Sequence, residues 1–190
     1  MEEKEYKVII DLEKYNRILN QFDWDTFINQ HNYYYDSKNF WAEEYGYTIR
    51  IRQINNDFIL QIKSPNQSQK IYKHRIESEL GINHIPQYLD SSILNPLKNV
   101  DGCPGRLELL GFLETERHIK CLSNDITLFL DKNQYGNILD YEVEVEFSKD
   151  NREAEKVLFE LGLKPYRTCG KYTRFVKYLM NFKNDSSISK

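Results

Sequence analysis

Three glutamates two residues apart, Glu142, Glu144 and Glu146, alternate with Tyr141, Val143, Val145 and Phe147. In an extended strand successive side chains point to opposite faces, so this segment has one apolar face and one face of carboxylates about 7 Å apart. The pattern recurs along the chain. Glu3, Glu5 and Lys7 share a face opposite Tyr6, Val8 and Ile10, Arg50 and Arg52 alternate with Ile49 and Ile51, and Lys63 opposes Ile62. Lys73, Arg75, Glu77 and Glu79 share a face across from Tyr72, Ile76 and Leu80. A solvated open sheet accounts for any one of these strands, with Lys and Glu blocking edge pairing. Across all of them a site accounts for the crowding better, because carboxylates stacked on one face repel unless cations sit between them. If the sheet closes into a barrel with its apolar face outward under helices, both signs of charge point into one lumen. There the carboxylates suit hard divalent cations, and the Arg and Lys side chains suit an oxygen-rich anion such as a polyphosphate.

The rest of the chain supplies the covering elements. Asp11 is a good N-cap for an amphipathic helix over 12–22, with Leu12, Tyr15, Leu19 and Phe22 at helical spacing and a second turn at 24–28. Tyr33-Tyr34-Tyr35-Asp36 reads as a strand, and 47–54 and 57–64 as two strands joined by the turn Asn55-Asn56. A loop at 64–68 precedes a strand at 70–79, and 80–104, with Pro86, Pro96, Gly102 and Pro104, reads as short helical turns and loops. Strands are expected at 106–113, 117–122, 126–131 and 139–147, with a turn at 133–137. Asp150 or Asn151 caps a helix that Gly162 ends, and Tyr172, Phe175, Val176 and Leu179 mark a last helix before a polar tail at 184–190. Short strands with a few helices make this a mostly antiparallel α+β fold. Residues 1–183 are expected to form one domain.

Composition narrows the partners. The chain has 190 residues with 26 Lys+Arg, 29 Asp+Glu and a formal net charge of -3, so no polymeric nucleic acid is expected as a partner. Apolar runs such as Val8-Ile9-Ile10 fall far short of the roughly 18 residues of a membrane-spanning helix. Met1-Glu2-Glu3-Lys4-Glu5 has no apolar core of a secretory signal, and Cys103, Cys121 and Cys169 form no CxxC pair, so a reducing, cytoplasmic setting is expected. The four histidines show no zinc-ligand spacing.

The charged faces also occur in a telling order: Glu3-x-Glu5-x-Lys7, Arg50-x-Arg52, Lys63, Lys73-x-Arg75-x-Glu77-x-Glu79, Arg117, Glu142-x-Glu144-x-Glu146 and Lys171-x-x-Arg174. This order, spread over residues 3–175, resembles the CYTH superfamily, the triphosphate tunnel metalloenzymes. The triple tyrosine before Asp36 is similar to a small bacterial subgroup often labelled as adenylate cyclases.

The resemblance implies a closed eight-stranded antiparallel β-barrel, a triphosphate tunnel, with helices packed outside. It implies Mg²⁺ or Mn²⁺ as cofactor, with Glu3, Glu5, Glu142 and Glu144 as metal ligands and Glu146 added on the same face. Lys7, Arg50, Arg52, Lys63, Lys73, Arg75, Arg117, Lys171 and Arg174 would clamp phosphate. Lys7, Glu77, Glu79 and Arg117 would serve catalysis, the two glutamates orienting the attacking water and Lys7 facing the leaving group. The implied activity is hydrolysis of the terminal phosphoryl group of inorganic triphosphate, or of an organic triphosphate such as ATP or thiamine triphosphate. An adenylate cyclase forming cyclic AMP and pyrophosphate is the alternative, and a non-catalytic triphosphate sensor a third reading. One departure stands out: where many hydrolytic members have a lysine two residues before the arginine, this chain has Thr115. Arg117 is therefore expected to carry that strand's charge alone, and Thr115→Lys to be tolerated. Loss of one crowded carboxylate, as in Glu144→Gln, is expected to leave the fold intact.

Overall fold

The structure is a computed structural model that describes residues 2–188 except 91, 92, 95, 96, 98, 99 and 101, with side chains described to residue 181. The first strand, β1 (Glu2–Ile10), ends at Asp11, whose Oδ1 accepts the Lys14 N–H at 2.7 Å and so caps α1 (Leu12–Leu19). The helix stops short of residue 22, and Phe22 and Trp24 pack against the core beneath it instead. The helical turn expected at 24–28 is in fact the start of β2 (Thr26–Asp36). There Thr26, Phe27 and Ile28 pair with Ile119, His118 and Arg117, and a long ladder overrides a weak local period. A one-turn α2 (Trp41–Glu44) follows, capped at a distance by Asp36, which accepts the N–H groups of Ala42 and Glu43 at 2.7 and 3.1 Å.

β3 (Thr48–Ile54) and β4 (Asp57–Lys63) form the expected hairpin, with Asn55 in the left-handed region at φ 53°. β5 (Lys73–Ile82) starts and ends later than 70–79, and the segment expected to be turns and loops contains the short strand β6 (Tyr88–Asp90). Pro96 lies outside the described residues. β7 (Arg106–Ser123) is one strand where two were expected. The sequence pattern breaks at 114–116 because Glu114 and Glu116 face outward, beside His31 and Lys132, while Thr115 is turned in at 1% exposure. The strand bends near Gly111, at φ 144°, where its register with β2 shifts. β8 (Ile126–Tyr135) runs through residues expected to form a turn, and the real turn into β9 (Ile138–Phe147) is at Gly136 and Asn137. Asp131 and Asn133 are polar because they face the lumen. Asp150 caps α3 (Asn151–Glu160), Gly162 follows it at φ 69°, and α4 (Lys171–Ile188) continues into the segment expected to be a tail.

The strands run β2-β3-β4-β5-β1-β9-β8-β7, and β7 pairs back with β2, so eight of the nine close into an antiparallel barrel with β6 added at the end of β7. Two apolar cores lie outside this wall. Under α1 and α3, Tyr6, Val8, Leu128, Leu130, Val143 and Val145 pack on Tyr15, Ile18, Ala154 and Leu158. On the other side Tyr35, Ile49, Ile51, Leu60 and Ile62 are covered by Trp41, Leu89, Leu94, Leu97 and Leu107. A third cluster is internal: Tyr34, Leu113 and Tyr135 pack against Tyr172, Phe175 and Val176 of α4. Since Tyr34, Leu113 and Tyr135 share the inward phase of Asn32, Thr115 and Asn133, α4 closes off one end of the inward-facing rows. No described helix is long and apolar enough to cross a membrane, and all three cysteines are free.

Candidate active site

Away from the end that α4 closes, apolar residues on the outer face leave the inner face mostly to polar groups, and these surround a cavity of about 370 Å³. Strand order fixes its polarity. The carboxylates come from three adjacent strands, β1, β9 and β8. The arginines of β3 lie four places round the ring from β9, and therefore across the lumen from its glutamates. The cavity is lined by Glu3, Glu5, Lys7, Arg50, Arg52, Lys63, Lys73, Arg75, Glu77, Glu79, Arg117, Glu144, Glu146 and Lys171. Glu142 and Arg174 sit just behind, in contact with each other at 2.7 Å. All the charged residues singled out from the sequence are thus gathered in one place.

The acidic wall divides into two groups of three carboxylates, each with oxygen atoms within 4.8 Å of one another. The inner group is Asp131, Glu142 and Glu144, all nearly or fully buried. It is saturated with cations. Lys171 Nζ contacts Asp131 and Glu144 at 2.7 Å and also contacts Glu142. Arg117 grips Asp131 through Nε at 2.8 Å and Nη2 at 2.6 Å, and reaches Glu144 at 2.6 Å. Lys7 bonds Glu144 and lies 3.5 Å from Glu142, while Arg174 joins Glu142 to Asp140. Burial alone would raise the Glu144 carboxyl, yet Lys171, Lys7 and Arg117 outweigh it and hold it well below the usual carboxylate range. By the same balance burial disfavours the Lys7 ammonium, but Glu142, Glu144 and Glu5 keep it protonated beyond its ordinary range.

The outer group is Glu3, Glu5 and Glu146. Lys63 binds Glu3 at 2.6 Å and Glu77 at 3.2 Å, and Glu5 has Lys7 at 3.5 Å and Lys73 at 4.0 Å. Glu146 has no cation within ion-pair distance among the described residues. Burial first, and then Glu3, Glu5 and Glu144, push its carboxyl up to about 7. A deficit of positive charge among clustered carboxylate oxygens is the donor set a hard divalent cation takes, so the residues fit the metal that the sequence implied. Glu77 and Glu79 line the cavity on β5 but belong to neither group: Glu77 pairs with Lys63, and Glu79 accepts from Gln61 at 2.5 Å.

The basic groups are under-neutralised, both on β3, across the lumen, and on β5, which pairs with β1 so that Arg75 is the register partner of Glu3. Arg50 donates to Gln61 at 2.8 Å, Arg52 to Asn32 at 3.2 Å and Arg75 to Thr48 at 3.2 Å, and none of the three has a carboxylate within ion-pair distance among the described residues. Burial, with Arg50 and Arg117 nearby, lowers Arg52 to about 9, and burial with Lys7 lowers Lys73 to about 8. Thr115 does not line this cavity; its hydroxyl donates to Asn133 at 2.8 Å.

Several site residues escaped the sequence pattern, chiefly Asp131, with Asp140, Asn32, Gln61 and Thr48 as neutral or bridging partners. Asp131 pairs by Cα register with both Arg117 and Glu142. Its two-residue phase with Phe129 was the only local signal, and the turn reading of the following residues hid it. Asp36 turns out to be a structural anchor: it also accepts from the Tyr172 hydroxyl, tying β2, α2 and α4 together.

The family model described as the CYTH domain matches residues 1–168. The chain belongs to the CYTH domain family. Among curated relatives, YjbK of Bacillus subtilis (strain 168), named as a candidate triphosphatase, is 25% identical over 178 residues, covering 91% of this chain and 93% of that protein. A candidate adenylate cyclase from Bacillus halodurans has the same CYTH fold, with TM-score 0.72 and 22% identity, over 90% of this chain and 95% of that one. HpAC1 from Hippeastrum, described as a candidate adenylyl cyclase with a dominant triphosphatase activity, superposes with TM-score 0.71 and 22% identity over 92% and 95% of the two chains.

Proposed function

We propose that this CYTH protein is a Mg²⁺- or Mn²⁺-dependent hydrolase that removes the terminal phosphoryl group of inorganic triphosphate. The observation that carries the reading is the opposition, inside one closed barrel, of arginines without carboxylates to carboxylates with too few cations. A triphosphate has about four negative charges, and its hydrolysis depends on positioning and charge neutralisation more than on covalent chemistry. The triphosphatase names of YjbK and HpAC1 support the same reading.

In this scheme Arg50, Arg52, Arg75 and Lys73 bind the phosphate oxygens, with Lys63 and Arg117 at the flanks. Glu3, Glu5 and Glu146 hold the divalent ion, with Glu142 and Glu144 behind them. When bound, that ion supplies Lewis-acid charge neutralisation at phosphate oxygens. Lys7, kept protonated by its carboxylates, contributes charge beside the leaving pyrophosphate. Glu77 and Glu79 face the lumen from the basic side and orient the attacking water. The water oxygen forms a bond to the terminal phosphorus and gives up a proton to solvent, the anhydride P–O bond breaks with its electron pair staying on the pyrophosphate oxygen, and orthophosphate and pyrophosphate leave. Inorganic triphosphate is favoured over nucleotides because the cavity lining is almost wholly charged or polar; its aromatic members, Tyr34, Tyr172 and Phe147, are themselves packed in the apolar clusters.

Phosphorus NMR after incubation with triphosphate, ATP and thiamine triphosphate tests the reading. Orthophosphate with pyrophosphate from inorganic triphosphate is the expected result. Cyclic AMP with pyrophosphate from ATP would make the protein a cyclase, and binding without turnover of any of the three would make it a sensor.

A further inference from the structure

Tyr34 is fully buried on β2, with its ring 5.1 Å from that of Tyr172 and 5.3 Å from that of Phe175. The hydroxyls around it are satisfied: Tyr172 donates to Asp36, and Tyr135 to Asp140 at 2.9 Å. The Tyr34 hydroxyl is buried and has no hydrogen-bond partner among the described residues. A phenylalanine would fill the same space without stranding a polar atom, so the oxygen costs stability in the free protein. It is not a surface accident either, because Tyr34 lines the cavity, and its backbone pairs with that of Arg50 on the basic wall.

The neighbours share the deficit. Asn32, two residues earlier on the same face, accepts from Arg52 through its oxygen, while its buried Nδ2 has no acceptor among the described residues. Nε of Arg75 is likewise buried and unpartnered. At Asn32 and Arg75 what is missing is an acceptor, since the amide and guanidinium nitrogens are donors only, and the Tyr34 hydroxyl is able to donate to an acceptor of the same kind. Tyr34 and Arg75 both line the cavity, so one oxygen-rich anion there would face both.

We infer that the Tyr34 hydroxyl donates a hydrogen bond to an oxygen of the bound triphosphate, at the end of the tunnel that α4 closes. The terminal phosphoryl group then enters first, and any organic substituent points to the open mouth. This inference rests on the triphosphate reading above. Tyr34→Phe keeps the ring and removes only the oxygen. Calorimetric titration of inorganic triphosphate in EDTA, and thermal melting of the free proteins, compare it with the wild type. The variant is expected to melt at or above the wild-type temperature while binding triphosphate about tenfold or more weakly, as for a lost hydrogen bond to a charged group. Equal affinity would leave Tyr34 as a packing residue, and a lower melting temperature would mean that the hydroxyl is already partnered within the fold; either result overturns the inference. A wild-type protein that binds no triphosphate would overturn the functional reading first and this inference with it.

Discussion

Glu144 and Glu146 are two residues apart on the same face of the same strand, and replacing each with glutamine should have opposite effects on stability. Glu146 has no cation within ion-pair distance among the described residues. Burial, Glu3, Glu5 and Glu144 move its carboxyl from an ordinary 4.5 to about 7. A raised folded-state value means that the folded protein holds a proton the unfolded chain has released. The contribution of Glu146 is therefore most favourable below pH 4.5 and is lost as pH rises through about 7. A difference of about 2.5 pH units corresponds to about 3 kcal/mol at 1.36 kcal/mol per unit, an upper value because the group keeps some contact with solvent. Glu146→Gln should accordingly stabilise the ion-free protein by about 1–3 kcal/mol at pH 8 and by close to nothing at pH 4.5. The assay is urea denaturation in EDTA across this pH range. A stabilisation independent of pH would refute the reasoning by showing that the Glu146 carboxyl is not raised, and a loss of stability at pH 8 would refute it by showing that Glu146 has a cationic partner in the fold.

Glu144→Gln should instead destabilise the fold by about 3–5 kcal/mol, because it leaves Lys171, Lys7 and Arg117 short of a buried partner, and it should abolish triphosphate turnover; chemical denaturation and phosphate release check the two effects separately. Arg117→Ala leaves the buried Asp131 with Lys171 as its remaining cation and takes one cation from Glu144, so it should lower stability by about 1–4 kcal/mol while raising the KM for triphosphate; unchanged kinetics would show that this strand does not reach the substrate. Thr115→Lys should lower the melting temperature, since it puts an ammonium beside Asn133 at a position 1% exposed, and a variant that melts like the wild type would argue that the wall opens there.

The tunnel was legible in the sequence because inward charge and outward Val, Ile and Tyr kept a strict two-residue phase at Glu3–Lys7, Arg50–Arg52, Lys73–Glu79 and Glu142–Glu146. The same logic misled wherever the inward residue was polar and short. Thr115 and Asn133 read as breaks because such residues are common in turns, and Asp131 was lost next to them. Only the pairing of β8 with β7 and β9 shows that they face a lumen. α2 was illegible because its cap, Asp36, is on the preceding strand rather than at the helix start. Neutralisation was the largest omission. Counting glutamates on one face suggests repulsion and a tolerant Glu144, but across the barrel each inner carboxylate meets two or more cations, and removing one uncovers charge instead of relieving it.

The two walls therefore store opposite kinds of strain. The inner acidic group is satisfied by Lys171, Lys7, Arg117 and Arg174 and behaves as a rigid electrostatic keystone between β8, β9 and α4. The outer carboxylates of β1 and β9 and the arginines of β3 are left with uncompensated charge of opposite sign across the lumen, while Arg75 of β5 is the register neighbour of Glu3 on β1 without an ion pair to it among the described residues. A divalent ion held by the first and a polyphosphate held by the second would each relieve the wall they touch and attract one another, so the two ligands should bind cooperatively. The free protein carries the cost of this arrangement in Glu146, which stays partly protonated near neutral pH, and in Arg52, whose charge is disfavoured by burial and by Arg50 and Arg117. A fold selected only for stability would have placed a carboxylate beside Arg52 and a lysine beside Glu146, as it has done at every position of the inner group.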